Sequence, residues 1–327
     1  MELFTYVRAD EAAGAVKQVS GEAKADYVAG GTTLLDLMKL NVHNPTRLVD
    51  INPLPLTRIE VTDKGLRIGA LVRNTELAYH DVIRQRYPVL SEALLSGATP
   101  QIRNMATVGG NLLQRTRCTY FRDTAWPCNK REPGSGCSAL DGFNRSHALL
   151  GTSEKCIATH PSDMCVALAA LDAVVRIQGP KGERSVPFNE FYIPYGDDPA
   201  RENVLEHGEL ITAVELPNTP FFARSHYLKV RDRAAFEFAL TSTAAALEIK
   251  DGTIRSARVA LGGVATKPWR STEAEKALVG AMAEKATFVA AAKAALRGAK
   301  PQKFNAFKVE LCRRTIVRAL TVVADMA

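Results

Sequence analysis

Apolar positions at the start of the chain switch between the spacing of strands and that of helices. An alanine-rich stretch over 9–19 predicts one helix, and Leu34, Leu37 and Met38 lie on one face of a second. Strands are predicted at 4–7, 26–29 and 48–51. This order predicts a βαβ-like unit at the N-terminus.

The later apolar pattern predicts further strands and helices in a mixed order. Strands are predicted at 59–61, 66–68, 70–72, 173–178, 210–216, 225–230, 239–248 and 258–262. Helices are predicted at 75–95, 163–171, 272–279, 283–297 and 305–326. Ser162 or Asp163 is expected to cap the helix at 163–171, and Pro217-Asn218-Thr219-Pro220 is the best candidate for a linker.

The stretch from 116 to 155 has little periodicity and is rich in proline and glycine. A structureless loop of that length is improbable in a compact domain unless something holds it in place. Four of the six cysteines of the chain lie in this stretch or directly after it: Cys118, Cys128, Cys137 and Cys156. A metal centre bound by these thiols would hold the loop.

The spacing of these cysteines, C-x9-C-x8-C-x18-C, matches neither the paired cysteines of zinc ribbons nor a ferredoxin run. The residues favour an iron–sulfur cluster, with structural zinc and free or paired thiols as alternatives. The other two cysteines, Cys165 and Cys312, fall on apolar helix faces, so we expect both to be buried.

Composition limits the class of protein. A chain of 327 residues with 46% hydrophobic residues can form two or three domains with buried cores, so we expect a globular, soluble protein. No apolar run is long enough to span a membrane, and the first residues lack the features of a secretory signal. Six cysteines in a chain of this length do not suggest a disulfide scaffold.

The net charge of +7 raises the question of nucleic-acid binding. Basic residues are spread along the chain without interleaved aromatic residues, so we expect no nucleic-acid partner. One local excess of arginine and lysine lies among the cysteines, where few acids are found. Cations there would stabilise an anionic thiolate cluster.

Two glycine turns are candidates for phosphate binding. Val28-Ala29-Gly30-Gly31-Thr32-Thr33 and Ala106-Thr107-Val108-Gly109-Gly110-Asn111 both place paired glycines beside hydroxyl residues. Glycine permits close backbone approach, so amide hydrogens can converge on an anion such as a diphosphate. Neither the Rossmann nor the P-loop fingerprint occurs, so each turn alone is also compatible with an ordinary tight connection.

Two charged residues have both a structural and a functional interpretation. Asp163 could cap a helix, or it could accept hydrogen bonds from a cofactor hydroxyl. Lys229 fits a solvent-facing strand position, or it could lie near an anionic flavin ring. The histidines form no arrangement typical of a hydrolytic triad, and we predict no catalytic residue.

Several motifs together resemble the FAD-binding medium subunit of the xanthine dehydrogenase family of molybdenum hydroxylases, over essentially the whole chain. They are the two glycine turns, Arg73-Asn74-Thr75, His160-Pro161-Ser162-Asp163 and Val259-Ala260-Leu261-Gly262-Gly263-Val264-Ala265. The segments Asn111–Cys118 and Pro127–Arg131 are most similar to the branch of bacterial periplasmic aldehyde oxidoreductases. In that branch, as in the flavin subunit of 4-hydroxybenzoyl-CoA reductase, an inserted loop holds an extra [4Fe-4S] cluster.

The resemblance implies an α+β fold. Its parts would be a bipartite FAD-binding fold of the vanillyl-alcohol oxidase (PCMH) type and a C-terminal α+β domain with a three-stranded sheet and helices. The expected divisions are an N-terminal FAD-binding subdomain at 1–53, a second one at 54–219 with the cluster loop inserted at about 112–160, and a C-terminal domain of the CO dehydrogenase flavoprotein type at 220–327.

The resemblance also implies site residues. The FAD diphosphate would be bound by Asp26, Tyr27, Val28, Ala29, Gly30, Gly31, Thr32, Thr33 and Leu34, with further contacts from Thr107, Gly110 and Asn111. Asp163 matches an FAD contact, Leu210 or Ile211 an apolar contact near the flavin, and Lys229 a lysine near the ring. Cys118, Cys128, Cys137 and Cys156 match the cluster ligands.

Such a chain would be the electron-transfer subunit of a heterotrimer. A large subunit would oxidise aldehydes to carboxylic acids at a molybdenum cofactor, and a small subunit would carry two [2Fe-2S] clusters. Electrons would reach FAD in this chain and leave to an external acceptor. The resemblance implies a periplasmic complex exported in folded form, with a cytoplasmic location as the alternative. Competing functions are the flavin subunit of a related hydroxylase, such as a hydroxybenzoyl-CoA reductase, and a non-catalytic zinc-binding structural protein.

Overall fold

The computed structural model describes residues 1–326, which form three sheets with helices packed around them. The first sheet is parallel and contains β1 (Thr5–Arg8), β2 (Ala25–Val28) and β3 (Arg47–Asp50), with β3 in the centre. Its connections contain α1 (Ala12–Ser20) and α2 (Leu34–Lys39). The predicted βαβ-like unit is therefore present.

The second sheet is antiparallel, with the order β4-β5-β8-β6-β7. Its strands are β4 (Ile59–Thr62), β5 (Gly65–Gly69), β6 (Val174–Gly179), β7 (Gly182–Pro187) and β8 (Leu210–Pro217). The helices between β5 and β8 are α3 (Asn74–Tyr79), α4 (Asp81–Arg86), α5 (Pro88–Ser96), α6 (Pro100–Met105), α7 (Val108–Leu112), α8 (Thr119–Arg122), α9 (Ser138–Asp141), α10 (Asp163–Ala170) and α11 (Phe188–Phe191).

The third sheet is antiparallel, with the order β12-β11-β10-β9. Its strands are β9 (Ser225–Val230), β10 (Thr241–Lys250), β11 (Thr253–Gly262) and β12 (Trp269–Arg270). The helices α12 (Thr272–Leu278), α13 (Lys285–Ala295) and α14 (Phe307–Ala324) follow. The three predicted strands are present, and the two-residue β12 adds an edge. This mixed α/β fold agrees with the predicted class.

Helix α10 joins the second and third sheets. All eight of its residues are buried, and it packs against α5 as well as against β10 and β11. Ser162 caps it by accepting a hydrogen bond from Cys165 N at 3.1 Å, as the sequence predicts. Because the helix is enclosed on every side, Asp163 in its first turn has a fixed position between the sheets.

One predicted element is wrong. The expected strand at 70–72 is a turn, since Val72 N bonds Gly69 O, and its residues are buried in the core. A buried turn carries the same apolar residues as a buried strand, which explains the error. The expected helical stretch at 75–95 is present as three helices, α3, α4 and α5, which are interrupted at His80 and before Pro88. No element was predicted at β7 or α6.

The cysteine stretch lies between α7 and α10 and contains only the one-turn helices α8 and α9. None of the helices within residues 1–326 has the length and apolar character that crossing a membrane requires.

Candidate functional site

The two glycine turns face each other at close range. A Cβ atom built on Gly30 would lie 2.0 Å from Met105 O, the carbonyl that precedes the second turn. Gly31 has φ of +69°, in the left-handed region that favours glycine. The first turn thus approaches the second through backbone alone, which is why a side chain cannot replace the hydrogen of Gly30.

The second turn is fixed by hydrogen bonds to its neighbours. Thr107 Oγ1 accepts a hydrogen bond from Gly110 N at 3.2 Å. Gly109 N donates to Ala70 O at 2.8 Å, within the turn at 70–72. Asn111 Oδ1 accepts from Ser162 Oγ at 2.7 Å, which links the turn to the start of α10.

Two cavities meet at these turns. The first has a volume of about 550 Å³ and the second about 240 Å³, and Thr32, Thr33 and Gly110 line both. Predicted residues that line only the first are Asn111, Asp163 and Lys229. Those that line only the second are Asp26, Tyr27, Ala29, Gly30, Gly31, Leu34, Thr107, Leu210 and Ile211. Val28 instead packs in the core with Met38 and Leu48, so its side chain does not line either cavity.

A buried ion pair forms one wall of the first cavity. Lys229 Nζ lies 2.7 Å from Asp163 Oδ2 and also donates to Ser96 O at 3.1 Å. Tyr227 OH donates to Asp163 Oδ1 at 2.6 Å. Burial and the neighbouring Asp163 carboxylate raise the pKa of Tyr227, which keeps its hydroxyl protonated.

The solvent-facing interpretation of Lys229 is wrong, because its side chain is only 3% exposed. Tyr227 was missed from the sequence. Its position two residues before Lys229 on the same strand face was the available signal.

The second cavity has mixed polarity. Leu210 and Ile211 supply apolar surface, and Tyr27 OH donates to Gly208 O at 2.7 Å beside them. His43 Nε2 lies 2.5 Å from Asp26 Oδ2 on the rim. Leu210 and Ile211 therefore lie in a different cavity from Lys229, so they would contact a different part of any bound cofactor.

Three of the four loop cysteines lie in or against two small apolar clusters. Cys118 packs with Cys128 in a cluster that includes Leu37 and Phe121, and it also packs with Cys156. Cys128 and Cys137 pair across an isolated antiparallel bridge. All six cysteines of the chain are free thiols.

Burial sets the protonation of three of these thiols, those of Cys118, Cys137 and Cys156. It raises the pKa of Cys118 to about 11 and the pKa of Cys156 to about 12, and it also raises the pKa of Cys137. At neutral pH the bare thiols are therefore protonated. A bound cationic centre would be needed to hold them as thiolates.

Backbone N–H groups point at the sulfur atoms. Ala158 N donates to Cys156 Sγ at 3.5 Å. The backbone of Tyr120 and Phe121 lowers the pKa of Cys118 against the effect of burial, and that of Ala139, Leu140 and Ile157 does the same for Cys137. Such donors favour the anionic form of a sulfur, which is the form that ligates metals.

Arginine and lysine side chains surround the cysteines. Carboxylates from distant parts of the sequence form ion pairs with several of these cations. Arg117 and Arg122 both bond Asp36 on α2, at 3.1 and 2.7 Å. Lys130 Nζ lies 2.5 Å from Glu202 Oε1, and Arg115 Nε lies 2.8 Å from the other carboxylate oxygen. Two carboxylates are thus shared by four cations, which reduces the local excess of positive charge in a way that the sequence order could not show.

Lys130 is the most enclosed of these cations. Its side chain is fully buried, and its ammonium lies 3.7 Å from the centre of the Tyr195 ring. It is close enough to Cys156 to lower the pKa of that thiol against the effect of burial. Lys130 therefore contributes positive charge to the cysteine site.

Cys165 and Cys312 are separate from this group. Both are fully buried on their helices, α10 and α14, and burial raises the pKa of each thiol. Cys165 Sγ contacts Tyr192 OH at 3.1 Å. Their burial agrees with the expectation from sequence. Within residues 1–326, no three or more Cys, His, Asp or Glu side chains converge in a geometry that could hold a single metal ion.

Comparison with known proteins identifies the family. The FAD binding domain in molybdopterin dehydrogenase matches residues 2–219, and the CO dehydrogenase flavoprotein C-terminal domain matches residues 226–323. The chain belongs to the FAD-binding subunits of the xanthine dehydrogenase and CO dehydrogenase family. It is therefore an oxidoreductase subunit with an FAD-binding domain, as the sequence predicts.

Members of this family resemble the chain along its whole length. It is 54% identical over 323 residues to the aldehyde oxidoreductase FAD-binding subunit PaoB of Escherichia coli, covering 98% of each chain. It is 29% identical to the glyceraldehyde dehydrogenase medium chain of Sulfolobus acidocaldarius, covering 85% of this chain and 81% of the relative. The structure of CO dehydrogenase from Oligotropha carboxidovorans matches with a TM-score of 0.78 at 25% identity, covering 100% of both chains.

Proposed function

We propose that FAD binds across the two adjoining cavities with its diphosphate at their junction. FAD has two ring systems joined through a diphosphate, and the junction is lined by Thr32, Thr33 and Gly110. Backbone amides of the first turn, at Gly30 and Gly31, would supply donors for an anion there, because those of Gly109 and Gly110 already bond within the protein. The protein fits the group because the two turns approach each other at Gly30 with no side chain between them.

The larger first cavity would take the isoalloxazine ring and the smaller second cavity the adenosine. Asp163 and Lys229 line the first, where the lysine cation favours negative charge on a reduced flavin. Leu210 and Ile211 line the second and offer apolar surface to a purine. This assignment places Leu210 and Ile211 at the adenine end of FAD and not beside the flavin ring.

We propose further that Cys118, Cys128, Cys137 and Cys156 ligate one [4Fe-4S] cluster. An all-sulfur donor set, backbone N–H donors to the sulfurs and the buried Lys130 fit an anionic cluster. The four cysteines of such a cluster bind four different iron atoms, so they need not converge on a single point as zinc ligands do. The cluster would supply one-electron transfer when bound.

A third cavity supports a functional connection between the two cofactors. It has a volume of about 220 Å³, and both Cys118 and Asp163 line it. Asp163 and Arg117 also line the first cavity. One shared wall would therefore separate the cluster from the flavin, which is the arrangement expected if electrons pass between them.

The function that these features support best is that of the FAD and [4Fe-4S] electron-transfer subunit of a molybdenum-dependent aldehyde oxidoreductase. The identity to an aldehyde oxidoreductase subunit supports the substrate class. The partners would be a large molybdenum-cofactor subunit and a small subunit with [2Fe-2S] clusters, in a heterotrimer located in the periplasm. We also propose the division into units at 1–53, 54–219 and 220–327, with the cluster loop at about 112–160.

The observation that carries this proposal is the packing of Cys118 with Cys128 and Cys156, beside a cavity that shares Asp163 and Arg117 with the first cavity. The test is visible absorption of the purified chain together with iron, sulfide and zinc analysis. Flavin bands, a broad iron–sulfur shoulder and about four iron atoms per chain are the expected result. A colourless protein with zinc would overturn the proposal in favour of a structural metal protein, and flavin without iron would overturn its cluster part.

A further inference from the structure

One histidine contacts the proposed cluster site without belonging to the ligand set. His147 Nε2 lies 3.2 Å from Cys118 Sγ, and its side chain is almost fully buried. The other ring nitrogen, Nδ1, is buried and has no hydrogen-bond partner among the described residues. His147 also lines the third cavity, as do Cys118 and Asp163.

The C-terminal domain holds this histidine through its backbone. Lys308 Nζ on α14 donates to His147 O at 2.8 Å, to Ser146 O at 3.1 Å and to Gly263 O at 2.6 Å. Asn305 Nδ2 also donates to His147 O, at 3.2 Å. The position of the loop thus depends on main-chain carbonyls, so the imidazole is not needed to hold the loop in place.

Ligation would decide which tautomer faces the sulfur. A thiolate that ligates a metal has lost its proton, so it can only accept hydrogen bonds. The neutral tautomer with its hydrogen on Nε2 is therefore favoured, because Nε2–H then donates to Cys118 Sγ. Nδ1 then keeps its lone pair, which is consistent with its lack of a donor among the described residues.

We propose that His147 is a positioning residue that donates a side-chain hydrogen bond to Cys118 Sγ and so raises the reduction potential of the cluster. Hydrogen bonds to cluster sulfurs are among the factors that set iron–sulfur potentials. Reduction adds negative charge, and a donor at the sulfur stabilises that charge more than it stabilises the oxidised state. The inference rests on the proposed [4Fe-4S] site.

The experiment is a potentiometric titration of the purified protein, with the reduced cluster followed by electron paramagnetic resonance. His147→Leu and His147→Phe remove the donor, and His147→Gln offers an amide N–H in its place. His80→Leu is the matched control, because His80 lies between α3 and α4 outside the three cavities. Iron and FAD content are measured for each variant.

We expect the leucine and phenylalanine variants to keep iron and FAD but to shift the cluster midpoint potential to more negative values. The glutamine variant should lie closer to the wild type, and His80→Leu should match it. A full cluster with an unchanged potential in the leucine and phenylalanine variants would overturn the inference.

Iron content separates the remaining outcomes. If the leucine and phenylalanine variants lose iron while His147→Gln retains it, the donor is needed at Cys118, which supports the contact. Loss of iron in all three variants would overturn the inference, since the ring would then act by packing. If the wild-type chain contains no iron, the cluster proposal itself fails. Iron analysis of the wild type shows this before any variant is compared.

Discussion

Lys229 Nζ and Asp163 Oδ2 form an ion pair of 2.7 Å in which both side chains are more than nine-tenths buried. The pair joins β9 of the third sheet to the start of α10, and it forms a wall of the largest of the three cavities. A buried carboxylate that loses its only cationic partner is left with an uncompensated charge. The pair should therefore affect both the stability of the fold and the binding of FAD.

Lys229→Met is expected to lower the free energy of unfolding by about 3–5 kcal/mol, because Asp163 would be left buried with no cation. Denaturant unfolding of the variant measures this change. Lys250→Met is the matched control, since Lys250 is an exposed strand lysine of the same sheet. The double variant Asp163→Asn with Lys229→Met should recover part of the loss. Equal stability of the Lys229 and Lys250 variants would contradict the role given to the pair.

Gly30→Ala is expected to abolish most FAD binding. The added methyl group would lie 2.0 Å from Met105 O, so the two glycine turns would have to move apart. Gly14→Ala is the control, because Gly14 lies within α1 and a Cβ there meets no atom within 4 Å. That change should stabilise the protein by up to about 1 kcal/mol through helix propensity. The flavin-to-protein absorbance ratio after gel filtration measures the difference, and full flavin content in Gly30→Ala would refute the proposed diphosphate site.

Sequence reasoning succeeded where a local pattern determines the structure. The two glycine turns, the Ser162 cap and the burial of Cys165 follow from residues that are neighbours in the chain. The family resemblance then predicted that both turns contribute to one FAD site. No local pattern contains that relationship. Burial of α10 on every side is also visible in its sequence as a nearly continuous apolar run.

The remaining features depend on contacts between distant residues. Lys229 looks like an exposed strand lysine until Asp163, 66 positions earlier, is placed beside it. The arginines of the cysteine loop look like free cations because Asp36 and Glu202 pair with them from far away in the sequence. The contact of His147 with Cys118 likewise requires a loop whose course no periodicity predicts.

Cys128→Ser is expected to lower the iron content of the purified protein, whereas Cys312→Ser should leave it unchanged. Cys128 packs with Cys118 in the loop, but Cys312 is buried on α14 among core residues such as Ile316. Iron and sulfide analysis per mole of protein checks the result. Cys312→Ser puts a hydroxyl into the core, so its thermal stability is expected to fall while its iron content stays unchanged. Equal loss of iron in both variants would contradict the assignment of ligands.

Glu202 is expected to make the stability of the protein sensitive to acid. Burial alone would raise the pKa of this carboxyl, but Arg115 and Lys130 outweigh burial and lower it below its ordinary value of 4.5. Because the folded pKa is lower than the unfolded one, the stabilisation is fully present above pH 4.5 and is lost as the pH falls through the folded value. Acid should therefore weaken the contact between Glu202 and the cysteine loop.

Glu202→Gln tests this dependence through the melting temperature as a function of pH. The variant should melt below the wild type at neutral pH, since Lys130 would remain buried without a carboxylate. Its melting temperature should also fall less steeply than that of the wild type below pH 4.5, because the titrating group is gone. Glu206→Gln is the control, as Glu206 is 72% exposed, and its curve should follow the wild type. Parallel acid limbs for the wild type and Glu202→Gln would show that the loss of stability in acid arises from other groups.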